Sequence, residues 1–340
     1  MTRMMIRIGK LHIRFETEEE AFMAFLREEY GLIEGPDECE ADITVRVIRG
    51  GELPGGMRLR ATGRESSLVM SEDLGSFTLS VPYKPVKRDA FMLMNPAFMP
   101  KWQASIEDFL HNAFLAAVEV KLLDAGMTLF HASAVRRGGG AKLLLGTGGA
   151  GKSTVAGLLA KRGCGVIAED LCVIGEGIVF PLPHRARLSL RKFDALGESA
   201  ASDKLNRTVT RALGKKPVRV LPFERIYAGA LDASEYPIDG VYLLERGAGP
   251  SLEGMSHEYA AKTSAEIMQT EFDNMAWSKE VFARTRYKDG ALFSEIEKAV
   301  FAALEVIYLH RLRLPVYDDL DKTASAAEAL LFPQEGGREA

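Results

Sequence analysis

The stretch Leu143-Leu144-Leu145-Gly146-Thr147-Gly148-Gly149-Ala150-Gly151-Lys152-Ser153-Thr154 constrains the chain more than any other. An apolar run stops at a glycine-rich turn, and the turn opens into a segment with helical spacing. Gly146, Gly151, Lys152 and Ser153 satisfy G-x-x-x-x-G-K-[ST], the phosphate-loop pattern. Glycines allow successive backbone N–H groups to turn inward around phosphate oxygens, where side chains would clash. The following helix aims its unpaired N–H groups and positive dipole end at the same anion. Gly146, Thr147, Gly148, Gly149, Ala150 and Gly151 therefore read as the cradle. Lys152, Ser153 and Thr154 begin the helix, with Lys152 expected to reach the β- and γ-phosphates of a nucleotide triphosphate and the Ser153 hydroxyl to hold Mg²⁺. Such a loop needs a buried strand before it and a helix behind it. Val155, Leu158 and Leu159 supply the apolar helical face.

Composition narrows the class. At 340 residues the chain is long enough for two units of domain size. Its 47% apolar and 26% charged residues are those of a soluble globular protein. A net charge of −4 without a basic stripe argues against nucleic acid as a partner. Cys39, Cys164 and Cys172 form no C-x-x-C pair, so disulfides and structural zinc are not expected. Neither a signal-peptide core at the start nor an uncharged run of spanning length is found, so the expectation is a cytoplasmic enzyme without a membrane partner.

Taken in order, Ile6–Phe15 alternates and predicts a strand. Thr17 is placed to cap a helix over Glu18–Tyr30, with Glu20 as the other half of a capping box. Strand-like runs follow at Ala41–Ile48, Met57–Ala61, Ser67–Met70 and Ser76–Val81. Residues 1–98 thus read as a smaller, mostly β N-terminal domain, a docking or assembly module. After the break at Pro96–Pro100, apolar residues from Trp102 to Val118 recur at helical spacing up to Asp124, with Gly126 ending the helix. Residues 99–340 read as the catalytic domain. Its expected strands are Thr128–Val135, Lys142–Leu145, Gly165–Asp170 and Gly240–Leu244, with a hairpin at Cys172–Gly175 and Ile178–Leu182. Its expected helices are Lys152–Arg162, 263–277, 292–312 and Thr323–Leu331, with a closing strand at Leu314–Tyr317.

Two further features carry chemistry. Val166-Ile167-Ala168 is an apolar run that ends in Glu169-Asp170, close behind Lys152 in the sequence. A carboxylate at the end of the strand after the loop helix is where nucleotide-bound Mg²⁺ is met. Adjacent acids can divide roles, one serving the metal and one accepting the proton of an attacking hydroxyl. His131 follows the apolar Leu129-Phe130, and on its own a lone histidine there reads more readily as a satisfied core residue than as a functional one.

The set His131, Gly146-x-x-Gly149-x-Gly151-Lys152-Ser153, Lys161-Arg162-Gly163 and Ala168-Glu169-Asp170 resembles the catalytic domain of HPr kinase/phosphorylase. That family shares its P-loop fold with phosphoenolpyruvate carboxykinase and phosphorylates a serine on a small carrier protein. The resemblance runs from about His131 to Ile174. It implies an α/β, phosphoenolpyruvate carboxykinase-like catalytic domain and an ATP-dependent serine kinase. It further implies a small protein or peptide as acceptor and a symmetric homo-oligomer. His131 matches the family's active-site histidine, and Asp170 matches the second of its paired aspartates, the general base. Glu169 stands where the first aspartate is expected. The glycine-rich stretch that follows the family's catalytic core is absent here, and His184-Arg185-Ala186-Arg187-Leu188-Ser189-Leu190-Arg191 takes its place.

Arg185, Arg187, Arg191 and Lys204 are candidates for a charge clamp on the transferred phosphoryl group, or equally solvated loop cations. His12, His111, His184, His257 and His310 have no partner spacing. The alternatives are a small-metabolite kinase on the same scaffold and a nucleotide-binding switch or motor ATPase. Against the latter, the chain has neither an Asn-Lys-x-Asp nor a Leu-Ser-Gly-Gly-Gln motif.

Overall fold

The structure, a computed structural model, describes residues 2–18, 20–36, 39–49, 57–60, 67–73, 76–83, 114–182, 186–189, 218–221, 227, 229–275, 278–283, 285–287, 291–315 and 319–333. It mixes helices with mixed sheets, an α/β architecture. Two compact units emerge, one of residues 1–128 with 268–296 and one of 129–267 with 297–340. The boundary expected at 98–99 lies outside the described residues.

In the first unit the N-terminal alternation makes two strands, β1 (Thr2–Ile8) and β2 (Leu11–Thr17), instead of one. Gly9, at φ +59°, sits in the left-handed region and lets a two-residue turn fold Ile8 back onto Leu11. Leu11, Ile13 and Phe15 point into the core, while His12 and Arg14 stay half-buried. Thr17 ends β2, and helix α1 (Glu20–Tyr30) starts later than the expected cap would place it.

β3 (Ile43–Arg49), β4 (Met57–Arg60), β5 (Ser67–Asp73) and β6 (Ser76–Tyr83) complete a sheet of order β1-β2-β3-β6-β5-β4. β3 runs parallel to both β2 and β6. The described part of the next helix is α2 (Leu115–Asp124). Residues 102–113, where that helix was expected to begin, lie outside the described residues. Phe114 closes an aromatic group, its ring 5.5 Å from Phe15 and 6.1 Å from Tyr30.

The second unit is built on β7 (Thr128–Phe130), β8 (Ala132–Arg136), β9 (Ala141–Leu145), β10 (Gly165–Ala168), β11 (Cys172–Gly175) and β12 (Ile178–Phe180). The short pair β13 (Ala186–Ser189) and β14 (Val218–Leu221) forms its own ladder. β15 (Tyr236–Gly247), β16 (Ser251–Gly254) and β17 (Tyr308–Pro315) complete the main sheet. Its order is β10-β8-β9-β15-β12-β11-β7, with β17 on β15 and β16 on β17.

β9, β15 and β17 are parallel. β8 is antiparallel to both β9 and β10. The carboxyl ends of β9, β10 and β15 and the beginning of β8 therefore share one edge. The middle of β15, Gly240–Leu244, is buried on both faces, as a central parallel strand requires. Helix α3 (Lys152–Ala160) and the last helix share a core in which Val155, Leu159, Val166, Leu244, Leu312 and Leu331 meet.

The helices of the C-terminal half are α4 (His257–Asn274), α5 (Ser278–Phe282), α6 (Ala291–Leu304) and α7 (Leu320–Leu331). The helix expected over 292–312 stops at Leu304. The following Leu309, Leu312 and Leu314 are buried strand residues of β17, because the backbone there pairs along β15. Asp319 caps α7, accepting from the Lys322 N–H at 3.0 Å. Glu328 on α7 accepts from Arg162 at 2.9 Å and from Arg137 at 2.7 Å. Among the described residues no helix is long and apolar enough to cross a membrane.

Two stability outcomes follow. Phe114→Ala is expected to cost about 3–5 kcal/mol by opening a cavity against Phe15 and Tyr30, read from the urea midpoint of the first unit's tryptophan-independent far-UV signal. An unchanged midpoint would show that the aromatic group is dispensable. The hydrogen bond from Arg162, and then that from Arg137, hold the Glu328 carboxyl below its ordinary value. A lowered carboxylate stabilises the fold above the unfolded-state pKa and loses that contribution as pH falls through the folded-state one. Glu328→Gln should therefore melt earlier than wild type at pH 7, with the difference closing below about pH 4. Equal melting at pH 7 would remove the claim.

Candidate active site

The site begins at the turn out of β9. Leu145 pairs with Leu243 of β15, and Gly146 follows at the sheet edge. A Cβ on Gly146 would stand 3.0 Å from the Ala150 Cβ and 3.2 Å from the Leu244 carbonyl oxygen. Only glycine lets the loop lie this close to β15. Gly151, at φ +112°, turns the chain into α3 without a side chain at the cap position. The loop is exposed at Thr147, Gly148 and Gly149, and Ala150 is half-buried. Lys152, Ser153 and Thr154 are buried in the first turn of α3.

Lys152 retains only 5% of its exposure. Its Nζ donates to the Gly146 carbonyl at 2.6 Å and meets His131 Nε2 at 2.8 Å. An ammonium has donors only, so the contact is a hydrogen bond when Nε2 is the unprotonated, accepting ring nitrogen. His131 owes its place to the fold. The single strand expected over Thr128–Val135 is broken there, with β7 before it and β8 after it in different parts of the sheet. The break leaves the imidazole at the edge where β9 and β10 end.

Asp170 arrives from the other flank. Its Oδ1 lies 3.8 Å from His131 Nε2, and its side chain is 39% exposed. Glu169 beside it is 4% exposed. The two acids thus sit in different surroundings, one open to an incoming group and one enclosed. Both are felt by Tyr227, whose phenol is pushed well above its usual range, by burial first and then by Glu169 and Asp170. Tyr227 therefore stays neutral at working pH. Its segment lies along β10, with Val166 N–H donating to the Ala230 carbonyl at 2.7 Å and Asp232 N–H to the Val166 carbonyl at 2.9 Å.

The structure brings Lys152 of the loop, His131 and Asp170 into contact, with Ser153 and Glu169 their neighbours in the chain, all carried by the second unit. Arg185, Arg191 and Lys204, as well as His111 and His184, lie outside the described residues, and Arg187 falls in β13. His257 packs on Phe301 and His310 on Tyr242. Arg246 went unassigned in the sequence. From the end of β15 its Nη2 donates to the Gly149 carbonyl at 2.7 Å. The signal for it was a cation at the carboxyl end of a strand, legible only once that strand is known to neighbour β9. Cys172 donates to the Phe130 carbonyl at 3.5 Å, and burial pushes its thiol far up, so it is a packing residue rather than a nucleophile.

No three His, Cys, Asp or Glu residues cluster as a protein-only metal cage among the described residues. Mg²⁺ asks for less: one or two carboxylates and a hydroxyl, with water and phosphate oxygens making up the rest. The all-oxygen set of Ser153, Glu169 and Asp170 fits that hard ion.

Gly151→Ala is expected to cost about 1–3 kcal/mol, because an alanine at this φ is strained. A thermal melt measures it, and a wild-type melting temperature would show that the loop accepts a side chain there. No protein-family model matches the chain, and no curated protein matches it either.

Proposed function

We infer that the chain is an ATP-dependent serine kinase, transferring the γ-phosphoryl group of Mg·ATP to a serine on a small protein or peptide. In this reading the second unit is a P-loop kinase domain of the HPr kinase/phosphorylase and phosphoenolpyruvate carboxykinase type. The observation that supports it best is the chain of contacts from Lys152 Nζ to His131 Nε2 at 2.8 Å and on to Asp170 Oδ1 at 3.8 Å. A phosphate loop alone serves many activities. An exposed carboxylate beside its lysine is what an acceptor hydroxyl needs.

The chemistry divides among the chain's own residues. Backbone N–H groups of the loop and the start of α3 bind the phosphates. Lys152 moves from the Gly146 carbonyl toward phosphate oxygens, which are stronger acceptors. Ser153 and the acid pair would hold Mg²⁺, which when bound would supply charge neutralisation on the phosphates. Asp170 accepts the serine proton as the serine oxygen bonds to the γ-phosphorus and the bond to the bridging β–γ oxygen breaks, releasing ADP. Once Lys152 has left His131 for the phosphates, the Nε2 lone pair is free beside Asp170, and the proton that arrives has a second acceptor within reach. Arg246, on the loop, is placed to steady the charge on the transferred group.

The test uses γ-labelled ATP with a lysate peptide fraction. Lys152→Ala should lose nucleotide binding. Asp170→Asn should keep binding while transfer falls about 10²–10⁴-fold, the usual share of a general base. Transfer at the wild-type rate by Asp170→Asn would remove its role as base. Fast hydrolysis by the isolated wild-type chain, with no label passing to serine, would favour the ATPase reading over the kinase.

A further inference from the structure

The position of the acid pair depends on an irregularity in the sheet. β10 and β8 pair with Gly165 opposite Arg136 and Val166 opposite Val135, but Ala168 opposite Ala134. The register slips by one residue, so Ile167 is extra and the ladder bulges there. In a regular ladder Ala168 would stand opposite Ser133. With the bulge that place passes to Glu169. A one-residue slip also reverses the face to which each later side chain points. The bulge therefore decides the direction in which Glu169 and Asp170 leave the strand. Bulges that re-aim a side chain are found beside active sites and need something to hold them.

Ser133 is what holds this one. It is fully buried on β8, between His131 and the core residue Val135, and its Oγ donates to the backbone carbonyl of Glu169. A serine hydroxyl in a buried strand is an expensive choice unless its hydrogen bond is made. Here the bond ties the residue that carries the first acid to the strand that follows His131. On the opposite edge of β10, the Ala230–Asp232 backbone grips Val166 through two hydrogen bonds. The strand is thus clamped on both edges up to Val166. Beyond the bulge, Ser133 supplies the side-chain hydrogen bond that reaches the acid turn from β8.

We propose that Ser133 is a positioning residue that sets the bulge in β10 and so aims Glu169 and Asp170 at the metal and the acceptor hydroxyl. This rests on the kinase reading above and goes further, since it assigns to a buried strand serine a share in magnesium affinity and rate. Residues that orient a metal's ligands without touching it are worth about 10–100-fold in affinity or activity.

The experiment titrates Mg²⁺ into the full chain with a fluorescent methylanthraniloyl-ATP, and follows basal hydrolysis of Mg·ATP with water as acceptor. Ser133→Ala should raise the half-saturating Mg²⁺ about tenfold and lower the hydrolysis rate about 10–100-fold. Nucleotide binding in EDTA should stay within twofold of wild type. Ser133→Thr, which keeps the hydroxyl, should recover most of both losses. Val135→Ala, a core truncation on the same strand, should lower the melting temperature and leave magnesium dependence and rate unchanged. A Ser133→Ala chain with wild-type magnesium dependence and rate overturns the proposal while the kinase reading stands. The same follows if Val135→Ala reproduces the Ser133→Ala losses. A wild-type chain that binds the nucleotide no better with Mg²⁺ than in EDTA overturns the kinase reading, and the proposal with it.

Discussion

A lysine ammonium that is almost wholly buried must be given acceptors, and much of the site's arrangement follows from how this is done for Lys152. Two of its acceptors are the Gly146 carbonyl and His131 Nε2. The first closes the loop on itself, since the carbonyl belongs to the residue where the loop begins. The second draws in a residue from outside the loop and requires it to be neutral. Desolvating a cation is costly when its partners are lost, so each contact constrains the others. If His131 were protonated, it would confront Lys152 with a second positive charge at 2.8 Å. The lysine therefore favours the form of His131 whose Nε2 carries a lone pair, which comes free beside Asp170 only when Lys152 leaves it.

Topology explains why these groups can meet at all. β9 and β10 run in the same direction because β8 lies antiparallel between them. A strand that leaves the sheet upward thus stands on each side of one that enters downward. The loop follows the first leaving strand, the acids follow the second, and His131 precedes the entering one. β15, parallel to β9, adds Arg246 at the same edge. The chemistry lies at the carboxyl ends of the strands, where α/β sheets open a crevice for ligands.

Much of this was legible in the sequence, and the misses have physical causes. The loop is read from local rules, because glycine at Gly146 and Gly151 answers to sterics within a few residues. The acid pair is nearly as local, an apolar run with two carboxylates at its end. The breaks were harder. An apolar run from Thr128 to Val135 gives no sign that the chain changes neighbours at His131, since both halves are buried. Residues 308–315 contain leucines at spacings that suit a helix or a strand, and pairing with β15 decided for the strand. The Gly9 turn was a local signal that the alternation on either side concealed. Neither Arg246 nor Ser133 is assignable from sequence alone, because each acts on a residue far away in the chain: Arg246 on Gly149, and Ser133 on Glu169.

The same long-range character separates the two acids. Adjacent in sequence and carrying the same functional group, Glu169 and Asp170 differ by one methylene and by what the fold places around them. Glu169 is enclosed, with its carbonyl tied to β8 and its carboxylate near a phenol held neutral by burial. Asp170 is open by more than a third and faces the imidazole. An enclosed acid suits a fixed task such as holding metal or its water. The task of meeting an acceptor, taking its proton and giving it up again calls for an acid that solvent and a partner can reach. The longer glutamate at the enclosed position is consistent with that division, because its carbonyl accepts from Ser133 and the extra methylene lengthens the reach of its carboxylate from that anchored point.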